Sequence, residues 1–574
     1  MKSLHLPLIV AVTGHRELHP DDLPRLRNQI QAFFQDLKKK YPHTPILLLS
    51  ALGPGADRFA AREALNCKGV SLAAVLPWPE GACDAERHRG GDPTEFEALL
   101  DRAIHRICLP LPDGADPATL CDSIELQQRC FENVGHYLTR HCQILAAIWN
   151  GLETEDSQTW QVIRWHLEGC PAPFAPDLGH LDEPETGPLI HFPARRGTDD
   201  ALIVDAGPKR RPPSKDDNTF DGVAAHFERF NADIHWIGPC LSDGLAQAKG
   251  YVFPEPEQAA LMEPQRFILD RFAMADQLSA VWQRRTLRAF LGVLGLIFLM
   301  VASFECYAHL APGRLSLLVG YPVIFGIGWG LVFWGKRLGI YNRYLDNRAL
   351  AEALRVHLFW KLAGLRETAA DYYLRSYRSQ LDWIRAALRS WTVQSGEHDC
   401  RHACPVEGPP DAATLDQIRE RWMADQQGFF AKNKVRDHHR AHTCHWWAWG
   451  FLSVSLAATL IQSGRLWWAY RHHDHQVGHD GTTHAFIMII AMGGVLAGLC
   501  HEYLEKRLFE KQSRSYASMD ALYQTALNRF DALRAEGDAT AIQSLLRELG
   551  REALAENADW VIYHREHEPT MRGH

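Results

Sequence analysis

The sequence predicts an N-terminal α/β domain with a doubly wound parallel sheet, followed by an all-α membrane region with four transmembrane helices and cytoplasmic helices. Two observations lead to this prediction. Short apolar runs alternate with helical patterns over the first 200 residues, and four apolar spans of about membrane length follow residue 280. The chain has 574 residues, several times the usual domain size, so more than one core is expected.

The first 200 residues contain six strand candidates, at 8–13, 46–50, 70–76, 104–109, 144–149 and 188–193. Segments between several of them have the apolar spacing of helices, as in ADRFAAREALN. Continuous apolar strands separated by helices are typical of a parallel sheet that is buried on both faces, because each right-handed crossover lays a helix on the sheet. Residues 1–200 are therefore predicted to form a Rossmann-like domain.

The next segment, 201–264, changes in composition. Its beginning and the residues just before it read ARRGTDDALIVDAGPKRRPPSKDDNTFDG, which is rich in proline, glycine and mixed charge. Such a composition resists packing. We predict a linker or an insertion here.

Four apolar spans follow in two pairs, at 289–311, 315–334, 446–462 and 485–504. A helix needs about 20 apolar residues to cross a bilayer core of about 30 Å. The spans divide the remaining chain into 265–440, with the first membrane hairpin, and 441–574, with the second, each with cytoplasmic helices. Buried core helices are the alternative, and the shorter third span fits it best.

Basic residues flank each hairpin on one side. They are Arg284, Arg285, Arg288, Lys336 and Arg337 around the first, and Lys432, Lys434, Arg436, Arg440, Lys506, Arg507 and Lys511 around the second. The turn of the first hairpin holds only Arg314, and the loop of the second holds Arg465 and Arg471. Because cytoplasmic flanks carry the excess of Lys and Arg, everything outside the two hairpin turns is predicted to be cytoplasmic.

Glycines recur in the membrane spans at G-x-x-x-G spacing, at Gly326 and Gly330 in the second span and at Gly494 and Gly498 in the fourth. This spacing is typical of close helix packing, within one chain or between chains. The interiors of the spans lack a row of ionisable residues, and those present, such as Glu305 and His501, lie near the span ends, which disfavours a proton relay or a dedicated carrier.

Candidate binding residues follow three strands of the predicted sheet. In open parallel sheets, ligands bind outside the carboxyl ends of the strands, where backbone N–H groups and helix N-termini favour an anion. The candidates are Thr13, Gly14, His15 and Arg16 after the first strand, Ser50, Gly53, Gly55, Asp57 and Arg58 after the second, and Trp149 and Asn150 after the fifth.

Each candidate also has a structural alternative. Arg16 and Arg58 would contact a phosphate and Trp149 would stack on a base. Glycines after strands commonly serve turns alone, His15 would then be a hydrogen-bonded turn histidine, and Arg58 a surface partner of Asp57. Neither a G-x-G-x-x-G nor a G-x-x-x-x-G-K-[ST] motif decides between the two interpretations, because the chain contains neither.

The N-terminal region resembles the SLOG superfamily, Rossmann-like relatives of the Smf and LOG proteins, over residues 6–196. The resemblance rests on VTGHR, LSALGPGADRFAA, LPWP, FENVGHYLTRH and ILAAIWNG. The paired membrane helices, with AEALRVHLFW, LDWIRAALRSW and GREALAENADW, are similar to SLATT-type two-helix membrane effectors. The resemblance implies a sensor of a nucleotide-derived second messenger that is coupled to a membrane-perturbing effector in prokaryotic antiphage and conflict systems.

The sequence departs from the catalytic members of that superfamily. LOG enzymes carry a P-G-G-x-G-T-x-x-E loop, whereas the corresponding stretch here is NGLETEDSQTWQVI, without the double glycine. Asn150 also stands where the commoner SLOG sequence has an aspartate. Hydrolysis is therefore not expected, and we assign no catalytic residue and no cofactor. Glu155 and Asp156 form an adjacent acidic pair, for which a solvated loop is the ordinary interpretation.

Two groups of histidine and cysteine have the chemistry of zinc ligands. One is the stretch HDCRHAC at 398–404, and the other is the helical H-x-x-x-H at 438–442. Their spacing matches no closed structural zinc site, and we assign no metal to either. A third stretch, RHHDHQVGHD at 471–480, would titrate near pH 6.5 or bind metal adventitiously.

Together with the resemblance, the sequence favours a multi-pass protein of the bacterial inner membrane whose cytoplasmic domain binds a nucleotide-derived messenger and whose membrane helices then perturb the bilayer. We expect a homo-oligomer. The formal net charge of −8 argues against a nucleic-acid polymer as partner. The alternatives are a membrane-tethered enzyme acting on a nucleotide or NAD, with His15, Asp57 and Glu155 as candidate groups, and a membrane scaffold that binds a protein.

Overall fold

The computed structural model describes residues 4–78, 92–112, 115, 119–154, 157–171, 186–197, 207–212, 218–365, 367–372, 378–395, 410–472 and 480–567. The chain forms two compact units. The first, which we call the sheet unit, comprises Met1–Ala275 and Leu350–Gly408. The second, the helical unit, comprises Asp276–Ala349 and Pro409–His574.

The sheet unit is built on a seven-stranded sheet. Its strands are β1 Leu8–Gly14, β2 Ile46–Ser50, β3 Val70–Leu76, β4 His105–Cys108, β5 Ile144–Trp149, β6 Leu189–Pro193 and β7 Lys209–Arg211. The spatial order is β4-β3-β2-β1-β5-β6-β7, and every neighbouring pair is parallel except β6 and β7. The predicted mostly parallel α/β sheet is confirmed, and the six predicted strands are correct to within one residue at each end.

The strands form where they do because they are buried on both faces. All residues of β2 and β5 are buried. Apolar side chains of the central strands, such as Ile9, Leu47 and Leu145, share one core cluster with residues of the covering helices. The connecting helices are α1 Leu23–Lys40, α2 Ala56–Leu65, α3 Pro93–Arg102, α4 Ile124–His141 and α5 Gln158–Glu168.

Side-chain caps fix where three of these helices begin. Asp92, Ser123 and Ser157 each accept a hydrogen bond from a backbone N–H in the first turn of the following helix, which satisfies a donor that has no partner within the helix.

Among the cysteines, Cys108 and Cys121 are disulfide-bonded, although the sequence shows no regular disulfide framework.

Three further helices of the sheet unit lie within 201–264, the range predicted as a linker or an insertion. They are α6 Asn218–Ile237, α7 Ser242–Val252 and α8 Glu255–Ala260. Asn231 of α6 is fully buried, accepts a hydrogen bond from the Leu6 N–H at 2.7 Å and donates to the Leu6 carbonyl at 2.8 Å. Such a pair of bonds fixes α6 to the chain just before β1.

The helices that follow are α9 Glu263–His309, α10 Leu315–Leu338, α11 Ile340–Leu362, α12 Ala369–Tyr372 and α13 Arg378–Gln394. By the division of the chain, α9 and α11 each contribute residues to both units. In the sheet unit, Val393 of α13 belongs to the same core cluster as the central strands. Asp371 of α12 lies 2.6 Å from Arg140 and 3.6 Å from Arg389. A segment between the two membrane hairpins is therefore part of the sheet unit.

The remaining helices belong to the helical unit. They are α14 Ala412–Ile418, which continues through a π-helical turn at Arg419–Ala424 into α15 Asp425–His472, then α16 Gly481–Arg507, α17 Phe509–Glu536 and α18 Ala539–Glu566. Charged pairs such as Arg419 with Asp531, at 2.6 Å, connect the first part of this region to α17.

Four helical stretches are long and apolar enough to cross a membrane. They are Glu263–His309, Leu315–Leu362, Ala412–His472 and Gly481–Glu536, and no more than 17% of each apolar window is buried within the chain. Because apolar surface left open on this scale is not stable in water, the helices indicate a multi-pass membrane protein.

The glycines of the membrane helices fall into two sets. A Cβ added at Gly493 would lie 2.1 Å from Ser455 Oγ, and one added at Gly320 would lie 3.0 Å from Ser303 Oγ. These glycines allow close packing within each hairpin. In contrast, a Cβ added at any of the four glycines of the predicted G-x-x-x-G pairs, Gly326, Gly330, Gly494 and Gly498, would have no atom within 4 Å. Those pairs lie on faces that no described residue covers.

Candidate functional site

The carboxyl ends of β1 and β5 lie side by side at the point where the strand order changes direction. From β1 the sheet continues through β2, β3 and β4 on one side and through β5, β6 and β7 on the other. Thr13 and Gly14 pair with Ala147 and Ile148 across this junction. Crossover helices leave a gap at such a junction, so ligands of open parallel sheets bind there. Residues from all three predicted groups meet at this edge.

His15 connects the ends of the two central strands. Its backbone N–H donates to the Ile148 carbonyl at 3.0 Å, and its ring Nε2 accepts from the Asn150 N–H at 2.9 Å. The ring is 9% exposed. Because Nε2 must be unprotonated to accept this bond, the bond selects the tautomer with the proton on Nδ1. This geometry matches the alternative of a hydrogen-bonded turn histidine.

Two glycines allow α2 to begin directly against the end of β1. A Cβ added at Gly14 would lie 2.3 Å from the Ile148 carbonyl oxygen, and one added at Gly55 would lie 2.2 Å from the Arg16 carbonyl oxygen. Gly55 also has φ of +78°, which side chains rarely adopt. The Ala56 N–H then donates to the His15 carbonyl at 2.9 Å. The backbone of this edge is thus closely packed and bare of side chains at two points.

The turn after β2 contains a strained residue. Leu52 has φ of +54° and is fully buried. The Ser50 hydroxyl accepts from the Leu52 N–H at 3.1 Å, and Arg58 Nε donates to the Leu52 carbonyl at 2.9 Å. A non-glycine residue in the left-handed region costs about 1–3 kcal/mol and persists only where its surroundings hold it. Ser50 and Arg58 hold this one.

Arg58 itself is a buried residue, 1% exposed. Besides its bond to Leu52, its Nη1 donates to the Asp92 carbonyl at 2.8 Å, and the guanidinium lies 5.4 Å from the centre of the Phe96 ring. Nη2 is buried and has no hydrogen-bond partner among the residues that the structure describes. Most of the side chain is therefore committed to the turn and to α3, and it is not a surface partner of Asp57.

Replacing Arg58 by alanine is expected to lower the free energy of unfolding of the sheet unit by about 2–4 kcal/mol. The change removes two charge-assisted hydrogen bonds and leaves the Leu52 and Asp92 carbonyls without these donors. Arg58→Lys restores charge but cannot make both bonds, so it should recover less than half of the loss. Denaturant unfolding followed by tryptophan fluorescence measures both. Full stability in Arg58→Ala would contradict the structural role.

Arg16 is the available cation at this edge. Its side chain is exposed, and among the described residues it makes neither a hydrogen bond nor an ion pair. Its guanidinium lies 5.9 Å from the centre of the Phe131 ring on α4. An unpaired guanidinium beside an aromatic ring is suited to a group that is both anionic and planar, such as a phosphorylated nucleoside. The predicted phosphate contact is better supported for Arg16 than for Arg58.

Asp57, in the first turn of α2, is the acidic group of the site. Its Oδ2 lies 3.2 Å from the position a Cβ would take on Gly53, so the carboxyl group packs directly over that glycine. Burial raises the pKa of Asp57 to about 7, while a hydrogen bond from the Gly53 backbone and the charges of Arg16 and Arg58 oppose the shift. A carboxyl group with a pKa near neutrality exchanges protons readily under physiological conditions.

The stability of the protein should therefore depend on Asp57 as the pH changes. A folded-state pKa above the unfolded value stabilises the fold at pH below about 4, and this contribution is lost as the pH rises towards 7. Asp57→Asn removes this dependence. We expect the melting temperature of the wild type, relative to that of Asp57→Asn, to fall by a few degrees between pH 4 and pH 7.5. Parallel pH profiles would contradict the shift.

Trp149 and Asn150 follow β5 but face different surroundings. Trp149 is fully buried, and its ring stacks on Trp160 with a centroid distance of 5.7 Å. The expected stacking of a base on Trp149 has no support in this geometry, because the ring is part of the core. Asn150 is partly exposed, and its Oδ1 accepts from the Leu152 N–H at 3.2 Å. Asn150 is therefore part of the turn that follows β5.

Three residues of the site are not among those that the sequence predicts. Phe131 lies in the quoted stretch FENVGHYLTRH, but nothing in the pattern places it beside Arg16. Leu52 adopts a positive φ that leucine does not signal. Thr159, at the start of α5, donates to the Gly14 carbonyl at 3.1 Å. The one sequence signal for Thr159 is its position in the first turn of a helix, two residues after the cap Ser157.

Several predicted groups fall outside the described residues. They are the acidic pair Glu155 and Asp156, the stretch HDCRHAC at 398–404, and residues 473–479 of the second hairpin loop. Across the ranges that the structure does describe, no group of three or more His, Cys, Asp or Glu side chains is arranged to hold a metal ion. This includes the helical histidines at 438–442.

Comparison with known proteins identifies no relative: no protein-family model, no curated protein and no solved structure matches the chain.

Proposed function

We propose that the protein is a membrane effector of the bacterial inner membrane that senses a nucleotide-derived second messenger and perturbs the bilayer in an antiphage or conflict response. In this proposal the sheet unit is a doubly wound, Rossmann-like sensor of the SLOG type, and the four membrane helices are the SLATT-like effector. The observation that carries the proposal is the presence, in one chain, of an unpaired Arg16 at the reversal of a parallel sheet and of four membrane helices.

The ligand chemistry follows from the groups at the edge. Arg16 supplies a positive charge that forms no ion pair with a described side chain, and Phe131 supplies an aromatic face beside it. A phosphate with an attached base or sugar uses both features, whereas a purely apolar ligand would leave Arg16 unused.

The effector step follows from the open faces of the membrane helices. Gly326, Gly330, Gly494 and Gly498 are uncovered within one chain, so they are available to helices of other copies. A ligand can drive such an assembly only through a difference in affinity between the two states. The messenger therefore bridges sheet units, or fixes them, in the assembled form, and the homo-oligomer is the active species.

The test uses the full chain, reconstituted in lipid nanodiscs and in liposomes. A fragment limited to residues 1–200 would lack Asn231 and Val393, which pack against the sheet. A panel of mononucleotides, cyclic oligonucleotides and NAD is screened by thermal shift, by product analysis and by release of a trapped dye. We expect at least one compound to raise the melting temperature and to release dye without being consumed. Binding without any membrane effect would contradict the effector proposal.

Replacing Arg16 by alanine should weaken binding of the stabilising nucleotide by roughly ten- to a hundredfold. The loss corresponds to one charge-assisted hydrogen bond, about 1.5–3 kcal/mol. The free energy of unfolding should change by less than about 0.5 kcal/mol, because the Arg16 side chain is exposed and forms no ion pair with a described residue. Isothermal titration measures affinity. Arg196→Ala, at an exposed position after β6, is the control. Equal affinity in Arg16→Ala and the wild type would move the site elsewhere.

A membrane-tethered enzyme that processes a nucleotide or NAD is the second candidate function, and one observation favours it. Asp57 has its pKa raised by burial to about 7, which suits a general acid or base. His15 is less suited, because Nε2 already accepts from Asn150. Product formation in the nucleotide screen that disappears in Asp57→Asn, with binding retained, would favour this candidate over the messenger sensor.

A further inference from the structure

Side chains of the two membrane hairpins form a contact that shares no residue with the site described above. Nδ1 of His309, at the end of α9, is 3.1 Å from Nδ1 of His484, in the first turn of α16. The ring centroids are 5.4 Å apart. Glu305 lies one turn before His309, and its Oε2 is 3.5 Å from His309 Nε2. Glu305, His309 and His484 all belong to the helical unit.

The protonation states that allow this contact are limited. Two imidazole nitrogens at hydrogen-bond distance require that one carries a proton and the other does not. When both rings are protonated, two N–H groups point at each other and two positive charges lie about 3 Å apart. Glu305 can neutralise only one of them. The contact is thus compatible with no more than one imidazolium, and histidine is the side chain that ordinarily changes charge between pH 5 and 8.

Other charged groups near these helix ends already have partners or lie on the surface. Arg465 of α15 is 2.7 Å from Asp480, the cap of α16. The Arg471 guanidinium lies 4.7 Å from the centre of the Trp467 ring, and His472 lies 4.5 Å from that of Trp468. Arg314, before α10, is exposed. Of the described carboxylates, Glu305 is the one within ion-pair distance of His309, and its Oε2 is buried and has no hydrogen-bond partner among the described residues.

A metal ion is the other occupant that two converging imidazoles suggest. A stable zinc site takes three or four protein ligands, and no such group is arranged for a metal within the described residues. Glu305 faces the far nitrogen of His309, where it cannot share a metal with the two Nδ1 atoms. The arrangement therefore favours a proton over a metal.

We propose that Glu305, His309 and His484 form a proton-sensitive contact that holds the first membrane hairpin against the second, closed while one imidazole is neutral and opened when both are protonated. Acidification at the turn ends of the hairpins would then release α9 from α16. This regulation is independent of which ligand the sheet unit binds.

The experiment measures hydrogen exchange of the full chain in lipid nanodiscs between pH 7.5 and pH 5.5, with rates corrected for the intrinsic pH dependence of exchange. We expect exchange of peptides that contain 303–311 and 481–486 to accelerate by roughly tenfold at the lower pH, because opening is coupled to proton uptake. His309→Gln and His484→Gln, which cannot titrate, should abolish this pH dependence. Persistence of the acceleration in both variants would overturn the proposal, as would its absence in the wild type.

The chain offers a matched control on the same helix. His501 of α16 forms an i,i+4 pair with Glu505, as Glu305 does with His309, but it is 71% exposed. His501→Gln should leave the pH response of the hairpin ends unchanged, and equal sensitivity to His501→Gln would contradict a specific role for the contact. The series is repeated with EDTA and with zinc chloride. Opening by EDTA at pH 7.5 would identify a metal link and refute the proton-sensitive contact.

Discussion

Gly55→Ala is expected to lower the free energy of unfolding of the sheet unit by about 3–5 kcal/mol, a large part of the stability of an ordinary domain. Two effects add. The backbone at Gly55 has φ of +78°, which costs an L-residue about 1–3 kcal/mol. The new Cβ would also lie 2.2 Å from the Arg16 carbonyl oxygen and 2.5 Å from that of His15, and backbone atoms cannot move aside cheaply.

The control for this prediction is Gly222→Ala. Gly222 lies in helix α6 of the same unit, and an added Cβ meets nothing within 4 Å. Alanine there should stabilise the protein by about 0.5–1 kcal/mol, because it removes the entropic cost of a helical glycine. Denaturant unfolding of the full chain, followed by tryptophan fluorescence, compares the two. Similar effects of both substitutions would mean that the close contact between α2 and β1 is not tightly packed.

The second large effect is expected in the membrane helices. Gly493→Leu should disrupt the packing of α15 against α16, because even a Cβ at this position would lie 2.1 Å from Ser455 Oγ and 3.2 Å from the Phe451 carbonyl oxygen. We expect the free energy of unfolding to fall by more than about 2 kcal/mol, and the melting temperature of the protein in detergent to fall with it. Thermal unfolding monitored by circular dichroism measures it.

The neighbouring glycine supplies the matched comparison. A Cβ at Gly494 meets nothing within 4 Å, so Gly494→Leu should leave the fold of one chain intact. If copies pack through this face, the double variant Gly326→Leu, Gly494→Leu should bind the stabilising nucleotide normally and yet release no dye from liposomes. Normal dye release would exclude these glycines from the effector step. Equal unfolding of Gly493→Leu and Gly494→Leu would contradict the packing of the second hairpin.

The strands of the sheet could be predicted because they are buried on both faces. Each of the six reads as a continuous apolar run, and a run of this kind has few alternatives once helical patterns separate the runs. The edge strand β7 was missed, since its residues Lys209–Arg211 are all basic and its pairing with β6 leaves no apolar pattern. Helix α13 contains the quoted stretch LDWIRAALRSW, and this stretch alone does not say which core its apolar residues join.

The candidate site was located by the strand ends, while the part played by each residue required the geometry. A histidine after a strand either faces a ligand or bonds to the backbone, and only the bond from Asn150 to His15 decides this. Arg16 and Arg58 each follow a strand and look equivalent in sequence. In the structure the Arg16 side chain is exposed, whereas Arg58 is buried. Trp149 is fully buried, and a tryptophan in the apolar run of a central strand is normally part of the core. In the membrane helices, glycine spacing identified a face but not what covers it.

The position of α13 affects how the protein is made. Residues of the sheet unit lie on both sides of the first membrane hairpin in the sequence, and Val393 completes the core that begins with Ile9 and Leu47. During synthesis from the N-terminus, the ribosome must translate the whole first hairpin before it reaches this segment. The sheet unit therefore attains its final packing only after that hairpin has emerged from the ribosome. Folding of the sheet unit is thus completed no earlier than synthesis of the first membrane hairpin.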